Sequence, residues 1–255
     1  RMFAEGALSA AFVPVFTDYL KSRPAPETRR LLAVAFGSQL ALLLIVTFLG
    51  IILSPYLVTI LAPGFYGDAE KFALTVSLTR LMFPFILFIG LAVLAMGVLN
   101  ARQHFLFPAL APLTLNLAII AAVLGLTGRL ETPVFALGIG VLAGGVGQLL
   151  LQLPTLKHYG FLVLPRIDLR HPGLKRMRAL ILPTMVGLSA MQFNVMIDRF
   201  IASFLPEGSI SYLYYANRLV QFPLGAFGAA LGVAVLPTMS AQAAAGAIEQ
   251  LKETL

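Results

Sequence analysis

The chain has 255 residues, 59% of them hydrophobic and only 11% charged, with a mean hydropathy of +0.90. Soluble domains carry roughly 25% charged residues, so this composition excludes an ordinary soluble enzyme and describes a chain that crosses a membrane several times. The net charge of +7 would suit a nucleic-acid binder, but the basic residues are sorted by membrane side instead, and with no cysteine there are no disulfides, thiolate metal sites or cysteine nucleophiles.

The pattern predicts an all-α, polytopic transmembrane helical bundle with helices at 2–20, 31–61, 71–101, 108–127, 133–156, 173–204 and 208–241. A closed barrel would read as alternating ten-residue strands, and this chain does not. Turn chemistry separates the helices: SRPAPE from Ser22, APGFYGD from Ala62, RQHFLFP from Arg102, TGRLETP from Thr127 and LPEGS from Leu205. A longer connection, Lys157 to Gly173, mixes Phe161, Leu162, Val163, Leu164 and Ile167 with basic residues and is expected to lie in the membrane interface. It divides the chain into five helices before and two after, which suggests two helical lobes: 1–156, a linker at 157–172, and 173–255. The tail from Gln242 carries Ile248, Leu251 and Leu255 at helical spacing and should return along the inner surface. The chain opens at Arg1 without an initiator Met, so it reads as a fragment of a longer protein, with about seven membrane helices.

Basic residues set the orientation, because short cytoplasmic loops carry the excess of Lys and Arg. Lys21, Arg23, Arg29, Arg30, Arg102, Lys157, Arg166, Arg170, Lys175, Arg176 and Arg178 fall in every second connection, against only Lys71 and Arg129 in the others. Eleven against two in strict alternation places the first set in the cytoplasm. Prolines deep in helices, Pro14, Pro55, Pro84, Pro183 and Pro223, and glycines such as Gly144, Gly145 and Gly147 suit a transporter that rocks. Membrane helices in general are also rich in both.

Four arginines are left over: Arg1, Arg80, Arg199 and Arg218. Arg80 and Arg218 fall about 14–15 Å inside their helices, near mid-membrane, where a guanidinium costs a few kcal/mol unless it faces protein or water. Intramembrane acids are fewer: Glu5, Asp198 and, nearer the inner surface, Asp18. Arg1 and Glu5 share a helix face, Arg199 can snorkel outward, and Arg80 could pair with a carboxylate on another helix. Arg218 has only neutral local neighbours, Asn217, Gln221, Tyr214 and Tyr215. Unpaired arginine around an internal space predicts an anionic ligand, since the planar fork of a guanidinium matches phosphate or carboxylate.

No catalytic arrangement competes. Ser9, Ser38, Ser77, Ser189 and Ser203 have no intramembrane histidine, because His104, His158 and His171 sit in polar connections. No metal, cofactor or nucleic-acid partner is expected, and the GxG patterns at Gly138 and Gly145 lie inside apolar helices as packing glycines.

The stretches RMFAEGALSAAFVPVF from Arg1, APGF from Ala62, VLNARQHFLFPALAP from Val98 and YYANRLVQFPLGAFGAALGVAVLPTMS from Tyr214 resemble the MurJ (MviN) family of lipid II flippases, in matching order across the whole chain. The resemblance implies the two-lobed fold of the multidrug, oligosaccharidyl-lipid and polysaccharide exporter superfamily, a central cavity and alternating access. The visible helices would be the family's second to eighth. Arg1 matches the second of a basic pair ahead of the AEG motif, Glu5 matches the acid of that motif, and Arg218 matches the arginine of a YYADRL motif. Asn217 replaces the usual Asp and Gln221 stands where some members have Glu, which leaves Arg218 less compensated and weakens the case for ion coupling there.

The implied function is translocation, without catalysis, of undecaprenyl-diphosphate-linked peptidoglycan precursor across the bacterial cytoplasmic (inner) membrane. Arg218, Arg1, Glu5, Arg80, Asn217 and Asp198 are the candidate substrate-binding residues. Lipid II and membrane lipids are the implied partners, with a coupling ion as a further one. The alternatives are an exporter of other lipid-linked oligosaccharides or of drugs, the cationic drugs being disfavoured by the few cavity acids; a membrane glycosyltransferase, for which the long loop offers only Asp168; and a scaffold, which would need no desolvated arginine.

Overall fold

The computed structural model describes residues 8–223. The chain divides into two compact units, residues 1–200 and 201–255. The described elements are α1 (Leu8–Ser22), α2 (Ala25–Leu61), a 3-10 turn (Pro63–Phe65), α3 (Ala69–Met82), α4 (Phe85–Ala101), α5 (Leu106–Leu126), α6 (Phe135–His158) and α7 (Pro172–Ala202), and residues 209–223 are again helical. The described residues contain no strand. Among them α2, the pair α3 and α4, α5 and α6 are long and apolar enough to cross a membrane, and α7 adds a fifth span if its two parts, bent by 44°, count as one. The expected tail from Gln242, the second half of helix 208–241, Arg1 and Glu5 lie outside the described residues.

Two helix boundaries differ from expectation. Helix α2 begins at Ala25 rather than 31, because Pro24 and Pro26 occupy the cap and first turn, where no N–H is needed, and Glu27 faces the positive end of the helix dipole. The helix expected at 71–101 is two, α3 and α4, separated at Phe83 and Pro84.

At 37 residues α2 is about 55 Å long, far more than the roughly 30 Å of a hydrocarbon core. Its exposed large apolar side chains begin at Leu42 and continue through Phe48, Ile52, Tyr56 and Ile60 to Leu61. That run spans about 30 Å, one bilayer core. The part of α2 before it is buried instead: Leu31, Leu32, Val34 and Ala35 join Phe12, Phe16, Leu94, Leu99 and Leu156 in the main core of the first unit. This core sits at the end of the bundle that carries the basic loops.

Close helix contact is built from small residues. On α6, a Cβ at Gly140 or Gly144 would lie 2.7 Å from the Cα of Ile119 or Leu115, so the backbone of α5 lies directly against this face.

Between α6 and α7 the chain crosses the basic end as an irregular strap without helix or strand. Phe161 enters the core edge-to-face on Phe16, with ring centroids 5.6 Å apart. The Arg166 N–H then donates to the Ala33 carbonyl of α2 at 2.9 Å. Gly37 makes this crossing possible, since a Cβ there would overlap the Arg166 backbone. The strap closes at Asp168, whose carboxylate accepts from the Arg170 N–H at 3.1 Å and from Arg30 at 3.3 Å, and at buried His171, whose Nδ1 accepts from the Gly173 N–H at 3.2 Å.

Replacing Gly37 with Ala should dislodge the strap, at the roughly 1–3 kcal/mol typical of overpacking. The readouts are a lowered melting temperature in detergent and faster tryptic cleavage at Arg166 and Arg170. The strap should also respond to acid. Burial pushes the His171 pKa below its ordinary 6.5, Arg30 acts in the same direction, and Asp168 and Glu27 oppose them. The folded chain therefore binds this proton more weakly than the unfolded one, so stability is full above about pH 6.5 and falls as the pH drops from there through the lowered value. Amide exchange at Gly173, corrected for its intrinsic rate, should quicken on acidification across this window, and His171→Gln should flatten the response.

Candidate functional site

The α2–α3 contact is organised by a proline. Pro55 has no N–H, so the Ile51 carbonyl, one turn earlier, loses its helical partner inside a span where water cannot replace it. Two side chains take its place. The Ser54 hydroxyl donates to Ile51 O at 2.9 Å, and Arg80 Nε on α3 donates both to Ser54 Oγ at 3.0 Å and to Ile51 O at 3.3 Å. Ser54 is wholly buried, whereas Arg80 is exposed on this chain.

Register comes from the neighbouring turns. Phe83, one turn beyond Arg80, fills the notch at Gly50, one turn before Ser54; a Cβ at Gly50 would overlap the Phe83 ring. Helix α3 itself starts at Asp68, whose side chain caps the Lys71 N–H at 3.0 Å, and Thr75 and Thr79 return their hydroxyls to their own helix at 2.7 Å. Ser54 and Ile51 lie about 14–18 Å along α2 from Leu42, the middle of the lipid-facing run.

The guanidinium is thus fixed through Nε, and its two terminal amino groups have no hydrogen-bond or carboxylate partner among the described residues. The pairing of Arg80 with a carboxylate on another helix, raised from the sequence, is not found among those residues. A neutral hydroxyl and a carbonyl orient Arg80 and leave its charge without a carboxylate partner among the described residues.

Arg218 lies on the helix over 209–223, and its partner among the described residues is on that same helix. Its Nε donates to Tyr214 Oη at 3.3 Å and its guanidinium lies 5.5 Å from the Tyr214 ring centre. Asn217 beside it is exposed. Asp198 and Arg199 on α7 are exposed, and no described residue forms an ion pair with either.

Sequence reasoning missed three polar residues. Ser54 could have been found from its place before Pro55, since that proline frees the carbonyl it serves. Gln148 and Gln152 are buried on α6, and Gln152 Nε2 donates to Ala92 O at 3.2 Å, tying α6 to α4. They border a cleft of about 90 Å³ between α4, α5 and α6. No charged side chain lines it, so a polyanion has no counter-charge there. Among the described residues no three His, Asp or Glu side chains are grouped to hold a metal.

Membrane-length helices, one of them carrying an exposed guanidinium with no carboxylate partner among the described residues, together with a basic end, define a multi-pass membrane protein. The family model for the lipid II flippase MurJ matches residues 1–255, and the chain belongs to that family. It is similar to the probable lipid II flippase MurJ of Vibrio cholerae, 40% identical over 247 residues, which are 94% of this chain and 47% of the relative. The probable lipid II flippase MurJ of Haemophilus influenzae is 38% identical, with 94% and 48% covered. The lipid II flippase MurJ of Burkholderia cenocepacia is 41% identical over 245 residues, with 94% and 47% covered. The chain spans about half the length of these curated relatives.

Replacing Ser54 with Ala removes one donor to Ile51 and one acceptor from Arg80, and should cost about 1–3 kcal/mol as a lowered melting temperature in detergent. Adding Pro55→Ala returns an N–H to the Ile51 carbonyl and should recover part of that loss.

Proposed function

We propose that this chain forms part of the translocation path of a lipid II flippase, which moves a polyprenyl-diphosphate-linked disaccharide peptide from the inner to the outer leaflet of the bacterial inner membrane. The carrying observation is the Arg80 guanidinium, fixed through Nε against the middle of the apolar run of α2, with its terminal amino groups unpaired among the described residues. Two parallel N–H donors fit the oxygens of a phosphate, and a diphosphate is the one part of this cargo that needs cations to cross a low-dielectric interior. Arg218, oriented by Tyr214, supplies a second cation of the same kind. Arg1 and Glu5 are assigned to the same path through their motif, with Asn217 and Asp198 as polar neighbours of the headgroup.

The remaining assignments follow from this one. Residues 1–156 make most of one helical lobe, 157–172 link it to the next, and 173–255 begin the second. The basic end faces the cytoplasm by the excess of Lys and Arg. Rocking of the lobes exposes the headgroup outward, while the polyprenyl tail stays in lipid. The protein changes no covalent bond, and a coupling ion is a further partner.

Arg80→Ala leaves Ser54 to satisfy Ile51, so folding should survive, and Arg218→Ala removes, among the described residues, contacts within its own helix. In proteoliposomes of the full-length protein, each variant should slow translocation of a fluorescent lipid II by about 2 kcal/mol or more, roughly thirtyfold. Unchanged rates with a native melting temperature would remove both residues from the path.

A further inference from the structure

We propose that the strap over residues 161–170 is a membrane-surface anchor, which seats Leu162, Leu164, Ile167 and Leu169 at the acyl boundary and sets Arg166 and Arg170 on anionic lipid headgroups. The exposure of these side chains is built in and does not come from a loose loop. Phe161 is locked in the core, the Arg166 backbone is bonded to Ala33 where Gly37 lets it approach, and Asp168 and His171 close the far end. Burial alternates along the start of the strap: Phe161 is in the core and Val163 packs against it, whereas Leu162 and Leu164 are exposed. They are 54% and 84% exposed, and beyond Pro165 Ile167 and Leu169 are 69% and 57% exposed. Four large apolar side chains held outward in one short segment mark a surface with an apolar partner.

The depth of the strap identifies that partner. The lipid-facing run of α2 begins at Leu42, and the strap crosses α2 between Ala33 and Gly37, about 7–14 Å further out, at the level of the headgroup layer and its outer edge. Side chains reaching back from there meet the acyl boundary. Charge points the same way. Asp168, the acid within the strap, is already paired with Arg30, whereas Arg166 and Arg170 are exposed and have no ion pair among the described residues. Basic and apolar side chains alternating at this depth fit a leaflet that carries phosphate headgroups. The anchor depends on membrane embedding alone and not on which cargo is moved.

The chain contains no tryptophan, so Leu164→Trp adds one emitter to it. The full-length protein carrying this change is placed in nanodiscs, and its emission is compared with that of the unsubstituted protein, with and without lipids brominated near the headgroup end of the acyl chains. Quenching of the added emission by the brominated lipids is the expected result. Blue-shifted emission that these lipids do not quench would mean that protein covers the strap, and red-shifted, water-like emission would mean that nothing does; either overturns the anchor. In the second arm, Arg166→Ala with Arg170→Ala should lower the preference of the protein for spin-labelled phosphatidylglycerol over phosphatidylcholine by about fivefold per arginine removed. An unchanged preference would overturn the headgroup assignment.

Discussion

A carbonyl that has lost its N–H inside a bilayer has no water to turn to, and this constraint shapes the middle of the first unit. Pro55 removes the donor from Ile51, Ser54 supplies one from its own helix, and Arg80 supplies another from the next. An unsatisfied buried acceptor costs about 1–3 kcal/mol, and hydrogen bonds from a charged donor are worth about 1.5–3 kcal/mol. The carbonyl freed by Pro55 and the guanidinium therefore stabilise one another. Arg80 uses Nε for structure and keeps its terminal groups, so one side chain can hold α3 on α2 and still present a charge.

The opposite economy rules the basic end. Its ion pairs, Arg176 with Asp18 at 2.6 Å, Arg30 with Asp168 at 3.3 Å and Arg23 with Glu27 at 3.8 Å, are all substantially exposed. Exposed pairs are worth at most about 1 kcal/mol each, whereas each fully buried Leu or Phe contributes about 1.5–3 kcal/mol. The cluster of Phe12, Phe16, Leu31, Leu32, Leu94, Leu99 and Leu156 holds this end together, and the ion pairs fix directions, above all the path of the strap.

Much of this was legible from residue types alone. Turn chemistry located the breaks between the expected helices, but Pro84, noted as lying deep in a helix, was not read as the point that separates α3 from α4. What stayed hidden were partners contributed by other parts of the chain. A carboxylate was the natural mate to consider for Arg80, yet the acceptors are a hydroxyl and a carbonyl, which carry no charge to betray them in a sequence. The start of α2 was misplaced because Pro24-Ala25-Pro26 reads as a turn, although proline is at home in the first turn of a helix. The pinning of the strap was invisible for a similar reason, since it runs through a backbone bond at Ala33 and a missing side chain at Gly37.

Helix α2 lives in two solvents. Its first half is buried among side chains whose alternative is water, as in any soluble protein, while from Leu42 onward its outward side chains exchange one hydrocarbon for another. Truncating Leu31 or Leu32 to Ala therefore carries the full penalty of about 2–5 kcal/mol for a cavity, whereas trimming Leu44 or Ile45 forfeits little, because lipid tails are as apolar as leucine. Tolerance to apolar drift thus changes partway along one unbroken rod, at the water line and not at a helix end.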